Sequence, residues 1–297
     1  MTASICWFRD LDRTQIAQVG GKNANLGELV KNLGAAGVRV PDGFALVADA
    51  FRRHLRDAGL EDEIYSALDD LDVRDVAALA RTGRTIRERV RSATLPADVE
   101  TELRDAYVQL SRAYGEPITD VAVRSSATAE DLPEASFAGQ QESYLNVRGH
   151  AALLDAVRNC MASLFTDRAI VYRAERGYPH RSVALSVGVQ KMVRSDLACA
   201  GVMFTLDTES GFRDVIEIAG AWGLGETVVK GQVNPDEITV HKPTLARGFR
   251  SIVGREAGDK AMKLVYAEGG SGATRAVRVP IEDRRRLVLS DDEILEL

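Results

Sequence analysis

Cysteine and histidine, the residues of disulfide frameworks and zinc sites, are scarce in this sequence of 297 residues. The three cysteines, Cys6, Cys160 and Cys199, are too few and too widely spaced for either arrangement. They are typical of reduced thiols in a cytoplasmic protein, which is the location that we expect. The four histidines show no metal-binding or catalytic spacing, and we interpret them as structural or surface residues.

Long apolar runs and an excess of basic residues are also lacking. No stretch of about 18 apolar residues occurs, which excludes a membrane-spanning helix. The N-terminus has no basic segment followed by an apolar core, as a signal peptide would have. The net charge of -6 argues against non-specific nucleic-acid binding, which needs clustered Lys and Arg. A local basic pocket for a small anion is still compatible with this balance.

Hydrophobic periodicity divides the chain into a helix-rich first part and a β-rich second part. Helical spacing covers roughly 22–36, 49–57, 61–91, 97–114 and 151–177. Short strands are predicted at 120–124 and 142–147, and strand-like runs separated by turn residues dominate from 182 onward. We therefore predict an α+β fold with two lobes, 1–180 and 181–297, and a ligand cleft between them.

The first motif, VGGKNANLG at residues 19–27, places two glycines at the start of a helix. Small residues let the backbone approach a ligand, and a helix N-terminus favours an anion. Lys22 lies in the first turn, where a cation is unfavourable unless an anion is nearby. The motif does not have the spacing of a Walker A loop. An exposed lysine beside a glycine-rich turn is an equally good interpretation.

The second motif is the long segment RSSATAEDLPEASFAGQQES, residues 124–143. Its small residues and hydroxyls suit phosphate oxygens, and Arg124 at a strand end can hold a phosphate through two parallel hydrogen bonds. A solvated surface loop is the competing interpretation, and composition alone favours it. Glu130, Asp131 and Glu134 are candidate metal ligands, although a solvated acidic turn explains them better.

Two shorter motifs lie in the β-rich part. In VQKMV, residues 189–193, Gln190 and the backbone near Met192 can meet the edge of an adenine, although ordinary core strands look the same. In WGLGE, residues 222–226, Glu226 follows a tight glycine turn and can face a cleft. The motif is not a dinucleotide fingerprint, because it lacks the third glycine and the βαβ context. A turn with a carboxylate that caps a helix explains Glu226 at least as well.

Together with RVPDGFALVADAF, ASLFTDRAIVYR and AWGLGETVVKGQVNPDE, these motifs closely resemble the N-terminal ATP-grasp domain of phosphoenolpyruvate synthases. They are similar, less closely, to rifampicin phosphotransferases and pyruvate, phosphate dikinases. The resemblance covers essentially the whole chain. It implies a domain that binds Mg·ATP between two lobes and passes a phosphoryl group to a histidine on a swivelling domain. That histidine would then phosphorylate pyruvate on a barrel domain, giving phosphoenolpyruvate, AMP and phosphate.

The resemblance also implies roles for individual residues. Lys22 and Arg124 would contact phosphates, and Gln190 would lie near the adenine. The other candidate nucleotide-binding residues are Gly139, Gln140, Ser143, Met192 and Glu226.

Several features of the family are not found in the sequence. The phosphorylatable histidine motif and the barrel domain are absent, so we expect no catalytic residue on this chain. The acidic metal-binding strand is absent too, and the magnesium ligands are expected beyond Leu297. The sequence therefore corresponds to a C-terminally truncated domain, expected to be inactive alone. The alternatives are the ATP-binding domain of an antibiotic kinase and a non-catalytic nucleotide-binding module.

Overall fold

The computed structural model of the chain describes residues 3–34, 36–128, 143–267 and 274–297. Backbone contacts divide the chain into two units, Met1–Met192 and Val193–Leu297. Helices and strands occur in both, which confirms the predicted α+β class. The division follows the strand at 185–191, which pairs inside the first unit, whereas the sequence patterns predict a boundary at 180–181.

Seven α-helices and five strands occur in the described residues of the first unit. The helices are α1 (Ile16–Gly34), α2 (Ala48–Asp57), α3 (Glu61–Asp69), α4 (Val76–Ser92), α5 (Ala97–Ala113), α6 (His150–Ser163) and α7 (Asp167–Glu175). The strands are β1 (Ile5–Trp7), β2 (Gly43–Leu46), β3 (Asp120–Ala127), β4 (Ser143–Arg148) and β5 (Leu185–Lys191). The strands pair antiparallel in the order β1-β2-β5-β3-β4.

Local chemistry explains where these elements differ from the sequence patterns. The single helix predicted over 61–91 is divided into α3 and α4, and α4 begins where the Asp75 carboxylate accepts a hydrogen bond from the N–H of Ala78. The first helix begins earlier than predicted, at Ile16, and is kinked at Gly20. β3 extends beyond Arg124, where a loop is predicted, because its pairing with β5 continues to Ala127.

The hydrophobic core of the first unit joins the sheet to the surrounding helices. Phe44 on β2, Phe51 on α2 and Leu103 on α5 are among its fully buried members. Each large apolar side chain buried in this way stabilises the fold by about 1.5–3 kcal/mol. Helix α1 packs against β3 and β5, and this contact positions the candidate site described below.

The described residues of the second unit form a four-stranded and a two-stranded antiparallel sheet. The larger sheet has the order β6 (Cys199–Phe204), β7 (Val215–Trp222), β8 (Asp236–His241) and β9 (Ile252–Glu256), and the smaller pairs β10 (Met262–Tyr266) with β11 (Thr274–Arg278). The short helices are α8 (Glu226–Val229), α9 (Lys242–Leu245), α10 (Ile281–Arg284) and α11 (Asp291–Glu296). In the described parts of the chain, no helix is both long and apolar enough to cross a bilayer.

Candidate functional site

A cavity of about 280 Å³ lies in the first unit beside α1. Its wall combines side chains of α1 with the central strands and the segment after β1: Phe8, Lys22, Asn23, Asn25, Leu26, Leu29, Arg124, Gly188 and Gln190. Three predicted nucleotide-binding residues, Lys22, Arg124 and Gln190, are thus brought to one place. Among these described lining residues two are cations and none is a carboxylate, so the cavity suits an anionic ligand.

Strand register explains why Arg124 and Gln190 share this cavity. β3 pairs with β5 so that Arg124 stands opposite Gly188 and Ala122 stands opposite Gln190. Directly paired residues, and residues two apart on one strand, lie on the same face of a sheet. Arg124, Gly188 and Gln190 therefore share one face. Ser143 is paired with Arg124 on the other side, at the start of β4, so the predicted hydroxyl lies beside the predicted arginine.

The kink at Gly20 presents Lys22. Gly20 has φ 74° and ψ 164°, a backbone conformation that is essentially restricted to glycine. A Cβ atom on Gly20 would lie 2.2 Å from the Oγ of Ser126, so the close approach of α1 to β3 also requires glycine. The helix resumes after the kink with Lys22 in its first turn. The Lys22 side chain is exposed, and its Nζ lies 3.5 Å from the carbonyl oxygen of Ser125.

Positive charge in the cavity comes from the side chains of Lys22 and Arg124. The surrounding protein partly desolvates the Arg124 guanidinium and lowers its pKa, yet arginine remains charged at neutral pH. A guanidinium can donate two parallel hydrogen bonds to a phosphate, and the ammonium of Lys22 adds a second cation. This pair can therefore bind a phosphate group from two directions.

Gln190 and the apolar residues form the other part of the wall. Gln190 is only 9% exposed, and its Nε2 donates a hydrogen bond to the carbonyl oxygen of Pro41 at 3.1 Å. Phe8, Leu26 and Leu29 supply apolar surface nearby. Small-molecule sites typically combine such apolar walls with a few oriented polar groups. The cavity thus offers apolar and amide contacts for a ring together with cations for an anionic group.

Two other predicted residues, Met192 and Glu226, do not line the cavity. Met192 is buried at the end of the first unit, and its N–H donates to the carbonyl oxygen of Asp120 at 3.0 Å. Glu226 begins α8 in the second unit and forms an ion pair with Lys230 on the same helix. Two further candidates, Gly139 and Gln140, fall outside the described residues, as do the acidic candidates Glu130, Asp131 and Glu134.

The described ranges of the chain show no cluster of side chains that could coordinate Mg²⁺. They contain no group of three or more His, Cys, Asp or Glu side chains arranged to hold a metal ion. The described cavity wall contains no carboxylate either. We therefore assign no protein ligand to Mg²⁺, an ion that proteins often hold mainly through the phosphates of a bound nucleotide.

Several residues that line the cavity are not predicted as site residues, among them Phe8, Asn23, Asn25 and Gly188. Gly188 carries a signal that could have found it, because it lies two residues before Gln190 on one strand and so shares its face. Asn23 lies inside the GGKNANLG motif, directly after Lys22. The sequence carries no such signal for Phe8. This residue is positioned by tertiary packing against β2, since a Cβ atom on Gly43 would lie 2.7 Å from its ring.

Comparison with known proteins gives consistent matches over nearly the whole chain. Phosphoenolpyruvate synthase of Pseudomonas aeruginosa (strain UCBPP-PA14) is 56% identical over 284 residues, which cover 95% of this chain and 36% of that protein. The phosphoenolpyruvate synthase of Escherichia coli (strain K12) is 51% identical over 296 residues, which cover 99% of this chain and 37% of that protein. That of Synechocystis sp. is 50% identical over 300 residues, with 100% and 37% covered.

This chain spans little more than a third of the length of these relatives. The family described as "Pyruvate phosphate dikinase, AMP/ATP-binding domain" matches residues 16–297. The match covers the second unit, the first unit from Ile16 onward, and every lining residue of the cavity except Phe8. The resemblance in the sequence motifs is thereby confirmed: the chain belongs to the pyruvate phosphate dikinase AMP/ATP-binding domain family.

Proposed function

We propose that this chain is the ATP-binding domain of a phosphoenolpyruvate synthase. The observation that carries the proposal is the cavity in which Lys22, Arg124 and Gln190 meet. The names of the relatives support the same activity. The complete protein would convert pyruvate, ATP and water into phosphoenolpyruvate, AMP and phosphate, through a histidine phosphorylated on a separate swivelling domain and a barrel domain that binds pyruvate.

Within the cavity, Lys22 and Arg124 would bind the phosphates, and Gln190 would meet the adenine beside the apolar wall. Phosphoryl transfer depends mainly on positioning and charge, which is the contribution that these residues can make. Gly139, Gln140, Ser143, Met192 and Glu226 belong to the proposal as further nucleotide contacts. We also propose that the chain has the ATP-grasp fold. A crystal structure with bound nucleotide would test which residues of each unit contact the ligand.

Magnesium is proposed to enter with ATP as a phosphate-bound ion. Its protein ligands are not assigned, since the described wall of the cavity offers no carboxylate. A cytoplasmic location is likewise part of the proposal, and it fits a reaction that consumes ATP and pyruvate.

A thermal-shift experiment tests the nucleotide site. A ligand present at about 100 times its dissociation constant stabilises the folded protein by about 2.7 kcal/mol, which raises the melting temperature by several degrees. We expect millimolar Mg·ATP to produce such a shift in the wild-type chain and a smaller one in Lys22→Ala and Arg124→Ala.

Matched controls come from the same elements. Lys31 lies on α1 with its Nζ 3.6 Å from Asp12, and Arg148 is an exposed arginine on β4. Lys31→Ala and Arg148→Ala should keep the full shift, because neither residue lines the cavity. A wild-type melting temperature that millimolar Mg·ATP leaves unchanged would refute the proposal for this chain.

A further inference from the structure

Asn23 is the most buried polar residue among the described lining residues of the cavity, at 2% exposure. It directly follows Lys22, yet its side chain is directed into the protein. Its Nδ2 donates hydrogen bonds to the carbonyl oxygen of Val19 and to the Oγ of Ser186, both at 3.0 Å. Val19 precedes the kink at Gly20 and Asn23 follows it, so the first bond joins the two segments of α1.

The second bond belongs to a buried network that reaches three strands. The Oγ of Ser186 on β5 donates in turn to the carbonyl oxygen of Leu46 on β2, at 2.7 Å. The backbone N–H of Asn23 donates to the Oγ of Ser126 on β3, at 3.4 Å. Buried polar groups are costly when they lose a partner, so such a network strongly favours one arrangement of its members. Here that arrangement fixes the start of the helix after the kink.

Packing restricts Asn23 as firmly as hydrogen bonding does. A Cβ on Gly188 would lie 2.3 Å from the Oδ1 of Asn23, so the amide rests directly on the backbone of β5. Gly188 is the residue that pairs with Arg124. The Asn23 amide therefore connects the helical turn that carries Lys22 to the strand position beside Arg124, which are the two sources of positive charge in the cavity.

We propose that Asn23 is a positioning residue that holds Lys22 against the phosphates of a bound nucleotide. The inference rests on the proposed function, since it assigns Asn23 a role in that same site. Asn23 acts through the backbone: its bonds to Val19 and Ser186 keep the kinked turn on the sheet, and that turn sets the direction of the Lys22 side chain. Without them, the ammonium loses its fixed approach to the cavity while the guanidinium of Arg124 keeps its own.

A double-mutant cycle tests this role in the full 297-residue chain. Calorimetry would measure the dissociation constant for Mg·ATP in the wild type, Asn23→Ala, Lys22→Ala and the double variant. The effects of substituting neighbouring residues that act together do not add in binding free energy. We therefore expect Asn23→Ala to weaken binding about tenfold when Lys22 is present and less than about twofold in the Lys22→Ala background. A residue that merely stabilises the fold would not show this dependence on Lys22.

Val90→Ala is the matched control for lost stability. Val90 is fully buried on α4 and does not line the cavity, so its truncation should lower the melting temperature and leave the dissociation constant unchanged. Ser186→Ala serves if Asn23→Ala does not fold, because it removes a single partner of the Asn23 amide. We expect it to weaken Mg·ATP binding less than Asn23→Ala does, and again only when Lys22 is present.

Two results would overturn the inference and leave the nucleotide site standing. One is an unchanged affinity in Asn23→Ala or Ser186→Ala when Lys22→Ala itself weakens binding. The other is an equal loss of affinity with and without Lys22. A wild-type chain that binds no Mg·ATP would be a different failure, because it would overturn the proposed function and this inference with it.

Discussion

Lys260 and Asp236 form a fully buried ion pair in the second unit, each with 0% of its side chain exposed. The Asp236 carboxylate accepts hydrogen bonds from the Lys260 ammonium and from two backbone N–H groups, those of Gly258 at 2.9 Å and Val288 at 2.7 Å. Asp236 begins β8, Gly258 and Lys260 precede β10, and Val288 lies between α10 and α11. One carboxylate therefore joins three separate segments of this unit, and its loss should destabilise all three.

We predict that Lys260→Met destabilises the second unit by about 3 kcal/mol, the lower end of the range for breaking a buried ion pair. The lower end applies because the carboxylate keeps both backbone N–H donors. Asp236→Leu should cost more, about 5 kcal/mol. It leaves the ammonium with the Gly258 carbonyl oxygen, at 2.9 Å, as its one acceptor among the described contacts, and it also removes the acceptor of both N–H groups.

Tryptophan fluorescence can follow this unit separately. The chain has two tryptophans, Trp7 in the first unit and Trp222 in the second. In a Trp7→Phe background the signal comes from Trp222, whose indole N–H donates to the carbonyl oxygen of Asp283 at 3.1 Å. If the urea dependence is about 2 kcal/mol per molar, a loss of about 3 kcal/mol lowers the unfolding midpoint by about 1.5 M.

Lys230→Met is the matched control, since Lys230 forms an exposed ion pair with Glu226 four residues earlier on α8. Exposed pairs of this kind contribute at most about 0.5 kcal/mol. A midpoint shift for Lys260→Met no larger than that for Lys230→Met would refute the reasoning that an unpaired buried carboxylate carries the cost. The double variant Asp236→Leu, Lys260→Met should cost less than the sum of its parts, because it leaves neither charge unpaired.

Two further predictions concern the first unit. Burial and the adjacent Arg173 guanidinium lower the pKa of His180 from 6.5 to about 4, so His180 is neutral when folded. The unfolded chain then binds the extra proton, and stability should fall as the pH falls from 6.5 toward 4. His180→Gln should flatten this slope of the urea midpoint against pH, and an unchanged slope would contradict the assignment. Gly20→Ala should cost at least about 2 kcal/mol from its backbone conformation alone, with a steric clash against Ser126 added. Gly37→Ala, also at positive φ but with open space around it, should cost only the backbone part, about 1–2 kcal/mol; equal urea midpoints for the two variants would argue against the clash.

The elements that follow from local patterns are predictable, and those that depend on distant partners are not. Apolar periodicity predicts α2 and α5 almost to the residue, because each helix buries one face along its whole length. It does not predict β10 and β11, because neither strand alternates between buried and exposed residues: β10 is half-buried throughout, and three of the five residues of β11 are exposed. Nor can composition show that Lys260 is buried, since its carboxylate partner lies 24 residues away and most lysines are exposed.

The same distinction applies to the cavity, and it identifies where the site is most vulnerable. Lys22 and Arg124 are recognisable from short motifs, because a lysine after two glycines and an arginine on a strand carry local signals. Their meeting depends on the β3–β5 register and on the contact between Asn23 and Gly188, which join parts of the chain more than 60 residues apart. A methyl group at Gly188 would displace the Asn23 amide, although Lys22 and Arg124 would both still be present in the sequence. Gly188→Ala should therefore disturb the cavity while every predicted ligand-binding residue stays in the sequence, because the register and the small residues behind the cations determine where those cations lie.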